Sequence, residues 1–169
     1  MSEAKAWLLD FGEGLLAAVG ELEITHMLTD VPELFEIPLC PAYCKKVLVW
    51  QGKILPLMDI ASRILDYSID TSRHLVAIAA FQEYSGADVQ HGALLLHAPP
   101  ERISVDDSQA CDLSNIQSSC RQFVLACFEH VNFGPVPVLD LYQVFSSPHC
   151  IIDDHPTDEL ASNHYTVQI

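Results

Sequence analysis

Asp59 and Asp140 stand 81 residues apart in matching surroundings, which invites a reading as a carboxylate pair for general acid–base work. Each already has a sufficient structural task. An aspartate directly before a short helical pattern accepts hydrogen bonds from the open amides of the first turn and serves as an N-cap. The segment from Ser146 to Ile169 offers a second candidate: His149, Cys150, Asp153, Asp154, His155, Asp158 and His164 are all potential transition-metal ligands. Their spacing matches no defined metal motif. Cys40 and Cys44 have three residues between them but lack the second pair that a zinc site requires. Cys120 is a nucleophile candidate with only Arg121 beside it to lower a thiol pKa, so a structural or surface thiol is the better reading. His26, His74, His91, His97 and His130 are scattered, and there is no Gly-rich phosphate loop and no Gly-x-Ser-x-Gly elbow. The residues predict no catalysis, no cofactor and no metal.

The elements that carry the two aspartates are more informative than the aspartates themselves. Leu55-Pro56-Leu57-Met58-Asp59-Ile60 and Val136-Pro137-Val138-Leu139-Asp140-Leu141 match position by position in type. Each follows an apolar strand and a turn, and each leads into a short helix, Asp59 to Leu65 and Leu141 to Phe145. Pro56 is read as following its strand, because proline has no amide to give a ladder. The repeat of one strand-corner-helix unit implies an internal duplication.

Around the corners the chain reads as short strands. Trp7 to Phe11 and Leu15 to Val19 form a hairpin about Gly12-Glu13-Gly14. Glu21 to Leu28 is either a third strand or a helical turn. Pro32, Pro38 and Pro41 make Val31 to Ala42 an extended loop or edge segment. Val47 to Trp50 and Ile54-Leu55 form a second hairpin, with Gly52 suited to the positive φ of a tight turn. Strands follow at His74 to Phe81, Gly92 to His97, Arg102 to Val105 and Phe123 to Phe128, with Asp106 to Ser119 a polar loop. The fold class is mainly β, with barrels or sandwiches favoured over βαβ architecture.

The chain has 23 acidic and 8 basic residues, a net charge of −15. Nucleic acid and anionic membranes are poor partners for such a surface. All eight bases lie at or before Arg121, and a basic partner surface would be steered toward this chain, although solubility alone accounts for the charge. The longest apolar stretch, Leu75 to Phe81, is far below the roughly 20 residues of a spanning helix. The first residues lack a secretory pattern. A cytoplasmic location is expected, with all six cysteines reduced and Cys127 a small core hydrophobe.

The ordered set Ile37-Pro38, Pro41, Tyr43, Val47 to Trp50, Gly52 and Pro56 to Ile60 resembles the CheW family, the adaptors of bacterial chemosensory arrays. Gly92 to Leu96 looks like that family's central strand, and Phe123 to Phe145 like its closing hairpin and corner, so the resemblance spans Trp7 to Phe145. It implies two intertwined five-stranded SH3-like barrel halves with short helices. The expected division is a CheW-like domain over 1–145, with halves parting near 66–74, and an acidic tail over 146–169. It implies a non-enzymatic adaptor at membrane-associated receptor arrays, with no membrane insertion of its own. The groove between halves would grip a methyl-accepting chemoreceptor signalling tip, and a barrel face would pair with the regulatory domain of a CheA-type histidine kinase.

The residues mapped to partner binding are Met27, Lys45, Lys46, Val49, Trp50, Gln51 and Gly52, while Pro56, Asp59, Pro137 and Asp140 map to structure. The family commonly has Asn-Leu-Arg-Gly where this chain has Val49-Trp50-Gln51-Gly52, Gly where Lys46 stands, and often Glu where Met27 falls. The altered turn points to a divergent accessory member, of a type IV pilus or twitching pathway. Val49 or Trp50 would then be an apolar partner contact, unless Trp50 simply fills its barrel. Two other readings stand beside the adaptor. One is a metal- or thiol-dependent enzyme using the tail with Cys40, Cys44 or Cys120. The other is a domain that self-assembles through strand edges.

Overall fold

A computed structural model describes residues 3–30, 32–65 and 75–146. Strands β1 (Glu3–Asp10) and β2 (Leu16–Gly20) form the first hairpin. Glu21–Glu23 then makes one 3₁₀ turn and β3 (Ile24–Leu28) follows, so both readings of this stretch hold in succession. The proline-rich stretch contains a short edge strand, β4 (Leu34–Glu36). The second hairpin is β5 (Lys46–Trp50) and β6 (Lys53–Met58), and helix α1 (Ile60–Leu65) follows. The chain continues through β7 (Leu75–Phe81), β8 (Gln90–Leu96) and β9 (Glu101–Asp106). A run of 3₁₀ turns occupies much of 107–123, of which the sequence reads Asp106 to Ser119 as plain loop. The hairpin of β10 (Val124–His130) and β11 (Gly134–Leu139) then leads into α2 (Leu141–Ser146). The 66–74 junction, His74 and the tail beyond Ser146 lie outside the described residues.

These strands form two sheets, in the orders β10-β11-β2-β1-β9 and β3-β7-β8-β6-β5-β4. Read inward from the second hairpin, the six-stranded sheet has the same plan as the other, with β4 added at its edge. Leu48 opposes Leu55 in one hairpin and Phe128 opposes Val136 in the other. Each hairpin's inner strand then pairs in parallel with a strand from an antiparallel pair, Leu57 with Ala93 and Val138 with Ala18. The halves are intertwined because the N-terminal hairpin β1-β2 completes the sheet that β9, β10 and β11 begin. The mainly-β, two-barrel fold class agrees with the sequence reading.

The prolines do not end their strands. Pro56 lies within β6 opposite Val47, and Pro137 within β11 opposite Cys127. Parallel pairing on the far side of each strand is recorded only from the next residue, Leu57 or Val138. Each proline thus occupies a place where one edge needs no amide. The chain turns one step later. The amides of Asp59 and Asp140 donate to the Tyr43 and Phe123 carbonyls, at 2.8 Å and 2.7 Å. The Ser62 amide donates to Asp59 Oδ1 at 3.0 Å, and the Gln143 amide to Asp140 Oδ1 at 3.1 Å. Both carboxylates therefore close the first turn of a helix.

Each barrel has its own small interior. Leu48, Leu55, Leu57, Val76, Ile78, Ala93 and Leu95 fill one, and Leu8, Ala18, Phe128 and Val136 the other. A larger central core between them includes Leu9, Val19, Met58, Leu94, Phe123, Leu139, Leu141 and Val144. Arg63 crosses this junction. Its Nη1 donates to the Val144 carbonyl of α2 at 2.7 Å, and its guanidinium lies 4.0 Å from the Phe123 ring centroid and 5.1 Å from that of Tyr43. Burial pushes the guanidinium pKa below its ordinary value, opposed by Tyr43 and Cys44. The group stays charged, because arginine starts so high. Nearby, Phe145 stacks on Phe81 with ring centroids 4.9 Å apart, directly over Gly92.

A Cβ at Gly92 would come within 2.3 Å of the Phe145 ring. Gly92→Val is expected to displace Phe145 and lower stability by about 2 kcal/mol, the scale of overpacking a tight core. Arg63→Lys keeps a charge but loses the planar stack, and is expected to cost about 1–2 kcal/mol. Denaturant midpoints of the purified variants check both.

Candidate docking face

β5 and β6 are apolar on both faces. Alternation turns Leu48, Leu55 and Leu57 into the barrel and leaves Val47, Val49, Ile54 and Pro56 on the other side. On β7 and β8 that other side is covered by the central core, through Ala77, Ala79 and Leu94. At Phe35, Val49, Ile54 and Pro56 it lies open, while Met58 at the end of β6 joins the central core. Val49 is 57% exposed, Ile54 opposite it 73%, and Phe35 on β4 45%. Phe35 opposes Val47, which opposes Pro56, so the apolar positions run continuously across three strands. A contiguous apolar sheet face of this kind marks an interaction surface more often than a scatter of single residues does.

The second barrel shows the same face closed. By register, Cys127 and Pro137 occupy the places of Val47 and Pro56. The 107–123 segment lies against it, and Ile116 and Cys120 pack on Cys127. The places of Val49 and Ile54 are taken by Glu129 and Pro135, which make that rim less apolar. The first barrel has no such cover among the described residues, so the duplication is asymmetric in its outer surface.

The mapped partner residues fall into separate environments. Gln51 and Gly52 form the two-residue turn between β5 and β6, with φ of 49° and 74°. Glycine meets that backbone at no steric cost, whereas Gln51 bears some strain. Val49 points outward on the open face. Trp50 shares the inner face of β5 with Leu48 and is half-buried at the barrel end, its ring 5.1 Å from His26 and 5.5 Å from His91. These two histidines, scattered in sequence, are thus brought to one tryptophan. Burial, aided by Lys53 and His26, lowers the His91 pKa. Lys45 forms an exposed ion pair with Glu36 at 3.5 Å, and Lys46 opens β5 opposite both Glu36 and Leu57. Met27 packs against the central core, away from Val49.

Cys120 is buried, and that burial raises its thiol pKa, the reverse of what a nucleophile needs. Cys40 and Cys44 lie in the loop and 3₁₀ turn ahead of β5. Among the described residues, no group of three or more His, Cys, Asp or Glu side chains is placed to hold a metal ion. The tail ligands lie outside the described residues. One expectation is corrected. Cys111 and Cys127 are joined by a disulfide, with Cα atoms 5.4 Å apart, so Cys127 is buried but is not a reduced thiol. The sequence reading missed it because the pair becomes close only when the 107–123 segment folds back on β10. No described helix is long and apolar enough to cross a membrane.

Val49→Glu and Ile54→Glu should each change stability by less than about 0.5 kcal/mol, as open surface positions do. Leu48→Ala, one residue away but inside the barrel, should cost about 3 kcal/mol. Equal losses at all three positions in urea melts would show that the outer face is covered in solution.

No family model matches this sequence, and no curated protein gives a significant match. The fold does have a solved relative. It is similar to the crystal structure of the scaffolding protein TtCheW from Thermoanaerobacter tengcongensis, with a TM-score of 0.68 over 84% of this chain and 92% of that one. Sequence identity is 17%, so the likeness is one of architecture, and the chain carries a CheW-like fold.

Proposed function

We propose that this chain is a cytoplasmic, non-enzymatic adaptor of bacterial chemosensory signalling, built as one CheW-like unit over 1–145 whose halves part near 66–74, followed by an acidic tail. The observation that carries this reading is the open apolar face of Phe35, Val49 and Ile54 on a fold shared with a scaffolding protein. The face suits a partner rather than a substrate, because its apolar positions lie side by side on three neighbouring strands of an open sheet surface. The partner assigned to it is the regulatory domain of a CheA-type histidine kinase. A methyl-accepting receptor tip would take the groove between the halves.

The turn Gln51-Gly52 separates this chain from the receptor-coupling pattern of its resembled family. Glutamine supplies neither the charge nor the forked donors of arginine. This favours a divergent accessory adaptor, of a pilus or twitching pathway, over a standard flagellar coupler.

Calorimetric titration with the host's kinase regulatory domains and receptor tips tests the adaptor role. Binding at micromolar concentration is expected, weakened at least about tenfold by Val49→Glu or Ile54→Glu with the fold intact. Absence of binding to every one of them at high micromolar concentration would sink the role. The accessory reading is checked separately: restoration of wild-type swarming in a strain lacking its standard coupling adaptor would overturn it.

A further inference from the structure

We propose that Cys111 and Cys127 form a reversible thiol–disulfide site, which exchanges with low-molecular-weight disulfides and so latches the 107–123 segment over the second barrel. Three of the six cysteines meet here. Cys120 and Cys127 are packed with Ile116 in one apolar cluster, and Cys111 packs against it. A reducing compartment makes a disulfide transient and sensing rather than structural. For that compartment, and for nothing else, the inference rests on the cytoplasmic adaptor reading.

The latch is placed where the segment meets the sheet. The Cys111 amide donates to the Cys127 carbonyl at 3.1 Å, Ala110 bridges to Phe128, and the Gln109 side chain donates to the Glu129 carbonyl at 3.3 Å. Between Cys111 and Phe123 the recorded backbone bonds are local, Asn115 to Asp112, Ile116 to Leu113 and Cys120 to Gln117, and at the far end the Phe123 carbonyl accepts the Asp140 amide. Asp112 and Arg121 also bond within the segment, to Ser114 and to the Ser114 and Ile116 carbonyls. Ile116 and Cys120 are therefore held on Cys127 by apolar contact, with the crosslink next to them. Opening the crosslink removes a restraint on a cover that has few other ties.

Exposure orders the exchange. Cys111 is half-exposed and Cys127 buried. In the reduced chain, the Cys111 thiolate attacks one sulfur of a glutathione-type disulfide. A mixed disulfide forms and one small thiolate leaves. The Cys127 thiolate then attacks the Cys111 sulfur, the protein disulfide forms, and the second small thiolate leaves. Two electrons pass from the cysteine pair to the small disulfide, and the two thiol protons end on the released thiols. Cys120 packs on Cys127 in the same cluster but is joined to neither partner. Reduction would loosen the cover on the Cys127–Pro137 face, the counterpart by register of the open Val47–Pro56 face.

The full chain, equilibrated in reduced and oxidised glutathione of increasing oxidised fraction and quenched with a maleimide, tests this. Peptide mass spectrometry should show one transition to a Cys111–Cys127 linkage. Hydrogen exchange on the same samples should slow across 112–122 on the order of a hundredfold when the loop is closed, with β7 and β8 unchanged. Cys111→Ser should abolish the transition and Cys120→Ser should keep it. The latch is overturned if the linkage never forms, if Cys120 replaces either partner, or if exchange across 112–122 is the same in both forms. Kinase-domain binding in neither redox form would instead count against the adaptor reading and leave the latch standing.

Discussion

The two barrels are tied together at their junction by one half-buried cation. Arg63 leaves α1, lies over Phe123 and Tyr43, and bonds to a carbonyl at the end of α2. Tyr43 and Phe123 are themselves equivalent, since each carbonyl receives the amide of a corner aspartate. Val144 is likewise the counterpart of Arg63, 81 residues on. Arginine thus reaches from one copy of the corner to its own equivalent in the other. A guanidinium can do this because it keeps its charge against burial and offers flat faces to aromatic rings. Its Nη2 is buried without a hydrogen-bond partner among the described residues. Such an orphaned donor is costly, so the stack and the single carbonyl bond must outweigh it.

With that junction in place, the small corner features have a shared purpose. Asp59 and Asp140 close the first turns of helices only six residues long, which have little stability of their own. Their inner faces gain stability by packing into the central core with Phe123, Leu139 and Met58. Phe145 completes the packing over Gly92, the one place where only a glycine leaves room for the ring. The aspartates therefore act on the position of the helices, and through them on how the barrels meet.

Symmetry inside and asymmetry outside divide the molecule's tasks. The barrel interiors obey the same register and need the same apolar alternation. The outer surfaces diverged: one face is covered by the 107–123 segment, and the other is open at Phe35, Val49 and Ile54. The open apolar positions run across three neighbouring strands, the pattern of an interaction surface more than of scattered single residues.

Much of the fold was legible in the sequence. The paired corners, the hairpin about Gly52 and the apolar alternation of the strands follow from local chemistry: capping, turn geometry and period-two burial. The candidate site was less so. Val49 and Trp50 are adjacent and both apolar, and only the pairing of β5 with β6 shows that one faces water and the other plugs the barrel beside His26 and His91. The strands running through Pro56 and Pro137 were hidden because the missing amide matters only relative to a neighbouring strand. The Cys111–Cys127 crosslink and the reach of Arg63 to Val144 were hidden for a related reason: one needs the 107–123 segment folded back on β10, the other the meeting of the two corners. The sequence by itself determined the repeat, the strand pattern and the acidic charge, since these rest on interactions between near neighbours. Which apolar face stays open was decided by tertiary structure alone, because exposure depends on what the rest of the chain folds against it.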